Sequence, residues 1–243
     1  MKKLNFASVL TLFFAISMVT TLSAQNWSWN GIKGEGPKVT KTLNVSSFDG
    51  FTVAIGGNVY LKQGNTQSVT IEAQQNIIDN ILTDVSDKHW KIKFDQNVRN
   101  HDGVKIWITI PSLTKAYISG SGDIIGESKF TGVGNLVTGV SGSGNIKLDV
   151  EAKSIDGKIS GSGNVKLGGS ANNLTIAISG SGDFYADALS VKDATVSISG
   201  SGDCKVDASE NLSVKVSGSG DVKYKGRPRV SAKVSGSGDV ESM

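Results

Sequence analysis

The chain has 243 residues, a formal charge of +3 and 38% hydrophobic residues, enough apolar material for a sizeable core and too little net charge for the concentrated basic patch of a nucleic-acid binder. A single cysteine, Cys204, excludes an intrachain disulfide, and two histidines, His89 and His101, leave little for histidine-based catalysis or metal ligation. Thirty glycines against three prolines exceed ordinary usage and point to a backbone requirement that recurs along the chain.

Lys2 and Lys3, the apolar run Leu4 to Val19 and the small-residue stretch Thr20 to Ala24 read as a signal peptide over 1–24, cleaved before Gln25, with a retained anchor as the alternative that the short apolar run disfavours. Cleavage lowers the formal charge by two, to +1, and leaves no transmembrane segment. The expected location is therefore outside the cytoplasm, in the periplasm or at the cell surface. No cysteine stands near the cleavage point to carry a lipid. Residues 25–41 are polar and glycine-rich, an N-terminal arm or a lid over the first coil. Trp27 and Trp29 in it are suited to packing over an open core end or, alternatively, to holding a sugar ring.

Residues 42–118 read as an N-terminal β portion. Phe51 to Ile55, Gly56-Gly57-Asn58 and Val59 to Leu61 have the form of a degenerate first rung, alternating on both sides of a glycine corner. Val69 to Ala73 reads as a strand, and Ile77, Ile78, Ile81 and Leu82 share one helical face, which predicts a short helical turn. Trp90 to Phe94 and Val104 to Ile110 both alternate, and the polar loop Asp95 to Gly103 between them predicts a hairpin, with Pro111 ending its second strand.

From Ser119 one motif organises everything. Ser-Gly-Ser-Gly-Asp begins at Ser119, Ser179, Ser199, Ser217 and Ser235, and Ser-Gly-Ser-Gly-Asn at Ser141 and Ser160, at spacings of 22, 19, 19, 20, 18 and 18 residues. Each copy follows a β-branched residue (Ile118, Val140, Ile159, Ile178, Ile198, Val216, Val234) and precedes an apolar one (Ile124, Ile146, Val165, Phe184, Cys204, Val222, Val240). Period-2 alternation on both sides makes each motif a corner between two short strands. A corner that must recur at a near-fixed interval is the mark of a stacked coil. Residues 119–243 are therefore expected to be a right-handed parallel β-helix or β-solenoid, all-β, with like residues about 4.8 Å apart along it. Leu136, Ile155, Leu174, Val191 and Leu212 are the inward residues expected on the remaining sides, and Cys204 takes a small core position. No C-terminal cap is legible, so the last coil offers a strand edge to which another copy could add.

The same stacking puts Asp123, Asn145, Asn164, Asp183, Asp203, Asp221 and Asp239 in one row along a corner. Such a row could contact glycan hydroxyls, a partner's backbone or a hard cation. It could equally bond only its own corners, as Asx side chains do in turns. Asn at two of the seven positions favours the second reading, so no metal and no cofactor is assigned. Lys147, Lys166, Lys205 and Lys223 fall two residues further on, on the same face, where they can offset the carboxylates.

Phe48-Asp-Gly-Phe51, Val59-Tyr-Leu-Lys-Gln-Gly64, Ile108-Thr-Ile-Pro-Ser-Leu113, the Ser-Gly-Ser-Gly-Asp series and Tyr224-Lys-Gly-Arg-Pro228 together resemble the head GIN domain, a family of bacterial auto-transporter adhesins. The resemblance covers nearly all of 41–243. It implies an exported, β-helix-like domain of the cell envelope. It supplies no catalytic residues, and no translocator barrel is present in these 243 residues.

Catalysis finds no foothold in the residues themselves. There is no nucleophile elbow and no metal spacing, and the carboxylate pair of a polysaccharide-cleaving β-helix needs a cleft that rungs this short do not build. The expectation is a non-catalytic envelope binding module, an adhesin for a surface glycan or an envelope protein. The alternatives are a scaffold that self-associates through its open ends and, less well supported, a polysaccharide-acting enzyme.

Overall fold

Alternation is what lets this chain coil: in each rung the apolar residues turn inward, the polar ones outward, and the corner returns the chain for the next turn. The computed structural model describes residues 31–243, so the expected signal peptide over 1–24 and the tryptophans at 27 and 29 lie outside the described residues. The result is a β-solenoid in which strands Asp123–Gly142, Asn145–Gly161, Asn164–Gly180, Phe184–Gly200 and Cys204–Gly218 stack in parallel, each wrapping through a whole turn. Val222–Lys225, Arg229–Gly236 and Val240–Ser242 continue the stack.

The residues before the corner form one unbroken aliphatic column. Ile92, Val53, Ile118, Val140, Ile159, Ile178, Ile198, Val216 and Val234 lie in register, and all but the last are buried. A second column follows the corner: Ile71, Ile106, Val59, Ile124, Ile146, Val165, Phe184, Cys204, Val222 and Val240. Burial in that column pushes the Cys204 thiol up, with the charges of Asp203 and Asp183 adding to the effect, so it sits in the core as a neutral small apolar group.

The unequal spacings are absorbed away from the corners, at register shifts such as those between Lys166 and Gly168 and between Ala186 and Ser190. One consequence touches a predicted inward residue. Val191 is buried but stacks with Ala171 and Ala208, while Ala194 takes the place beside Leu174 and Leu212.

The N-terminal portion is part of the same stack, with its coils out of chain order. Gly50–Val53 and Asn58–Gln63 form a coil against Lys115–Ile118 and the start of Asp123–Gly142, which makes Gly56-Gly57-Asn58 a true corner aligned with Asp123. The predicted hairpin does not form. His89–Ile92 adds in parallel to Gly50–Val53, and Lys105–Ile110 adds in parallel to Asn58–Gln63. The coil at 50–63 presents a free parallel edge on each of its sides, and each strand takes one, so the loop between them spans a corner. Part of that loop, Val98–Asn100, pairs with Ile32–Lys33.

Beyond this outermost coil the sheet changes direction. Ser68–Gln74 runs antiparallel to Lys105–Ile110, and Lys38–Thr42 antiparallel to Ser68–Gln74. The described end of the expected arm is thus an edge strand of the sheet. The helical turn is present as Gln75–Ile78, burying Ile77 and Ile78 over the end of the core. No helix among the described residues is long and apolar enough to cross a membrane.

Candidate functional site

The Asx row forms as a ladder of side chains that bond from rung to rung. Asp123 Oδ1 accepts from the Asn145 backbone N–H and from its Nδ2, both at 2.9 Å. Asn145 Oδ1 accepts from Asn164 Nδ2 at 3.0 Å, and Asn164 Oδ1 from the Asp183 N–H at 3.1 Å. Then Asp183, Asp203 and Asp221 each accept, at 2.9 Å, the backbone N–H of Asp203, Asp221 and Asp239 in the rung above. A carboxyl or carboxamide group carried one methylene from Cα puts its oxygen at the right reach to bridge the rungs. The Ser hydroxyl is shorter and the Glu carboxylate longer, and only Asp and Asn occur there. The second carboxylate oxygen of Asp183 accepts from the Tyr185 hydroxyl at 2.8 Å. That bond raises the pKa of Tyr185, and burial adds to the effect.

The lysines do not close ion pairs with this ladder. The four ion pairs among the described residues are Lys105–Glu72, Lys129–Glu151, Lys223–Glu241 and Lys225–Asp187. Lys205 instead lies over the Tyr185 ring, 5.6 Å from its centroid. The same described residues contain no group of three or more His, Cys, Asp or Glu side chains arranged to hold a metal ion.

Because the ladder oxygens of Asp123, Asn164, Asp183, Asp203 and Asp221 take the place of a main-chain acceptor for the next backbone N–H, charge is not what the position requires. Asp203→Asn is expected to melt at or slightly above the parent, since the acceptor stays and one like charge leaves the row. Asp203→Ala orphans the Asp221 N–H and is expected to cost about 1 kcal/mol, roughly a 3 °C fall in midpoint. Thermal unfolding of the two variants side by side checks this; equal losses would mean that the carboxylate charge matters.

Two residues further along the strands runs a second outward column, and here sequence reasoning missed the most distinctive pair. Opposite one another on Asn58–Gln63 and Lys105–Ile110 stand Tyr60 and Trp107, their rings stacked with centroids 5.4 Å apart and planes 15° from parallel. Both are half-buried, between the buried inward residues Val59 and Leu61 on one strand and Ile106 and Ile108 on the other. The column continues through Ile125, Lys147, Lys166, Tyr185, Lys205 and Lys223. The missed signal was one of phase: an aromatic in the outward slot of an alternating strand is not there to fill the core. By contrast Trp90, in an inward slot, is fully buried and donates its indole N–H to the Leu82 carbonyl at 3.0 Å.

The histidines do not converge. His89 Nε2 lies 3.0 Å from the Thr52 hydroxyl, and burial, helped by Lys115, lowers its pKa. His101 Nδ1 accepts from the Gly103 N–H at 2.9 Å within its loop.

The sequence pattern of the family described as "Putative auto-transporter adhesin, head GIN domain" matches residues 47–228. The fold is similar to that of a putative adhesin from Bacteroides fragilis, at 28% identity and a TM-score of 0.81, covering 88% of this chain and all of that one. A putative adhesin from Parabacteroides distasonis follows at 25% identity and TM-score 0.71, covering 88% and 100%. A putative lipid binding protein from the same species, at 21% identity, TM-score 0.74 and coverage of 87% and 99%, shares the fold. No curated protein matches the chain.

Proposed function

The chain belongs to the head GIN domain family, and on that footing we propose that it is an exported, non-catalytic binding module of the cell envelope, an adhesin that contacts a glycan or a protein partner in the periplasm or at the cell surface. The observation that carries this reading is the outer face of the solenoid. Side chains recur there in straight columns, one per rung, at the roughly 4.8 Å spacing of paired strands, a surface that suits extended or repetitive ligands. The neighbouring adhesin folds support it. Sedimentation of the exported chain with envelope fractions, alongside a reducing-end assay, tests the proposal. Saturable retention without release of reducing ends is expected; polysaccharide cleavage, or no retention on any fraction, would overturn it.

One feature favours self-association as a second reading. Strand Arg229–Gly236 is exposed at every position, with Val230 at 41% and Val234 at 40% exposure in slots that are buried in every rung below. Light scattering over a concentration series separates the two, because a scaffold gains mass where a binding module does not.

A further inference from the structure

The geometry points to the Tyr60–Trp107 pair as a carbohydrate-binding platform, with an oligosaccharide lying along the solenoid axis from Thr70 across Trp107 and Tyr60 to Ile125. This rests on the binding-module reading and names its site and ligand class. Trp107 faces Thr70 on the antiparallel strand, Tyr60 faces Trp107, and Ile125 faces Tyr60. The stretch from Trp107 to Ile125 thus covers two strand spacings, about 10 Å.

Three observations select this ligand. First, the pair does nothing for the core, whose residues occupy the opposite phase of the same strands. Second, among the described residues neither the Tyr60 hydroxyl nor the Trp107 indole N–H has a hydrogen-bond partner, whereas Trp90 and Tyr185 both use theirs. A half-buried aromatic with an idle donor offers an apolar surface and a directional bond together. Third, the flanks are polar. Asn58 and Lys105 stand two residues before the pair, Lys62 and Thr109 two residues after, and Thr42 pairs with Thr70 beyond it. A pyranose chain presents C–H faces and hydroxyl edges side by side and satisfies both kinds of surface. An acyl chain would strip water from Lys62 and Lys105 with nothing in return. An extended peptide needs an open strand edge, and these strands are paired on both sides.

Affinity electrophoresis of the exported chain through gels containing soluble starch, mannan or laminarin tests the assignment, with Trp107→Ala, Tyr60→Ala and Asp183→Ala/Asp203→Ala/Asp221→Ala run beside it and melting curves confirming that each is folded. At least one polysaccharide is expected to retard the parent, with about tenfold weaker binding in each aromatic variant and unchanged binding in the ladder variant. Tyr60→Phe, which keeps the ring and loses the hydroxyl, is expected to fall between. Retardation that survives both aromatic substitutions overturns the platform and leaves the binding module standing. No retardation in any of the three gels overturns the platform as well, and if envelope fractions also fail to retain the parent, the module falls with it. Binding to phosphatidylglycerol vesicles that depends on Trp107 assigns the pair to lipid and overturns the carbohydrate.

Discussion

Gly200→Ala is expected to destabilise the protein by on the order of 4 kcal/mol, a large part of the 5–15 kcal/mol that holds a typical domain together. Gly200 is the first glycine of its corner and has φ of +137°, a region that side chains with a Cβ rarely enter. A Cβ there would also overlap the carbonyl oxygen of Gly180, its counterpart in the rung below. Strain and overlap add, at about 1–3 kcal/mol each. Neither can relax, because Gly180 O already accepts the Ser201 N–H at 2.9 Å and shifting it breaks the rung-to-rung bond. Thermal unfolding should show a midpoint lower by about 10 °C or more, or no cooperative transition. Gly134→Ala is the control: a Cβ there meets nothing within 4 Å, and the midpoint should stay within about 2 °C. If the two variants melt alike, the corners are not held by close backbone approach.

The second large effect belongs to the interior. Phe184→Ala is expected to cost about 3–5 kcal/mol. The ring is wholly buried, and it fills space that exists only because residue 157 is glycine: a Cβ on Gly157 would run into the Phe184 ring. Elsewhere in that column the residue is Ile, Val or Cys, so here the coil trades a large side chain after one corner against an absent one on the facing side of a lower rung. The trade can be read in a double-mutant cycle. Gly157→Ala should be costly beside Phe184 and nearly harmless beside Phe184→Leu, with a coupling energy above about 1 kcal/mol from denaturant titration. Additive losses would show that the ring and the glycine do not share one space.

Gly200 and Phe184 also mark how far the amino-acid sequence reaches by itself. The corner at Gly200 is legible because seven copies of one motif, each flanked by apolar residues in fixed phase, leave a stacked coil as the simplest packing. The inward columns and the line of Asx residues follow from that register. The fit of Phe184 to Gly157 is not legible, because it joins two sides of the coil on different rungs and no local pattern reports it. The N-terminal coils mislead for a related reason. Trp90 to Phe94 and Val104 to Ile110 alternate as hairpin strands do, and only the free edges of the coil at 50–63 draw them apart. At the ladder, position is legible and role is not: Asp203 can be placed on a corner, but the hand-over of its oxygen to the next N–H depends on the rise between rungs. Tyr60 and Trp107 are legible in phase, since each stands in the outward slot of an alternating strand. Their stacking is not, because 47 residues separate them and only the parallel pairing of the two strands sets them side by side.

The two ends of the stack are unlike, and that sets a ceiling on how copies can assemble. At one end the sheet turns antiparallel, a helical turn covers the core, and the outermost strand carries Lys38 and Lys41, residues that discourage further pairing. At the other, Arg229–Gly236 is bare. Self-association, the second reading, would therefore join two copies head to head through Arg229–Gly236 and leave the lysine-flanked antiparallel ends outward, so that reading predicts closed pairs and not fibres.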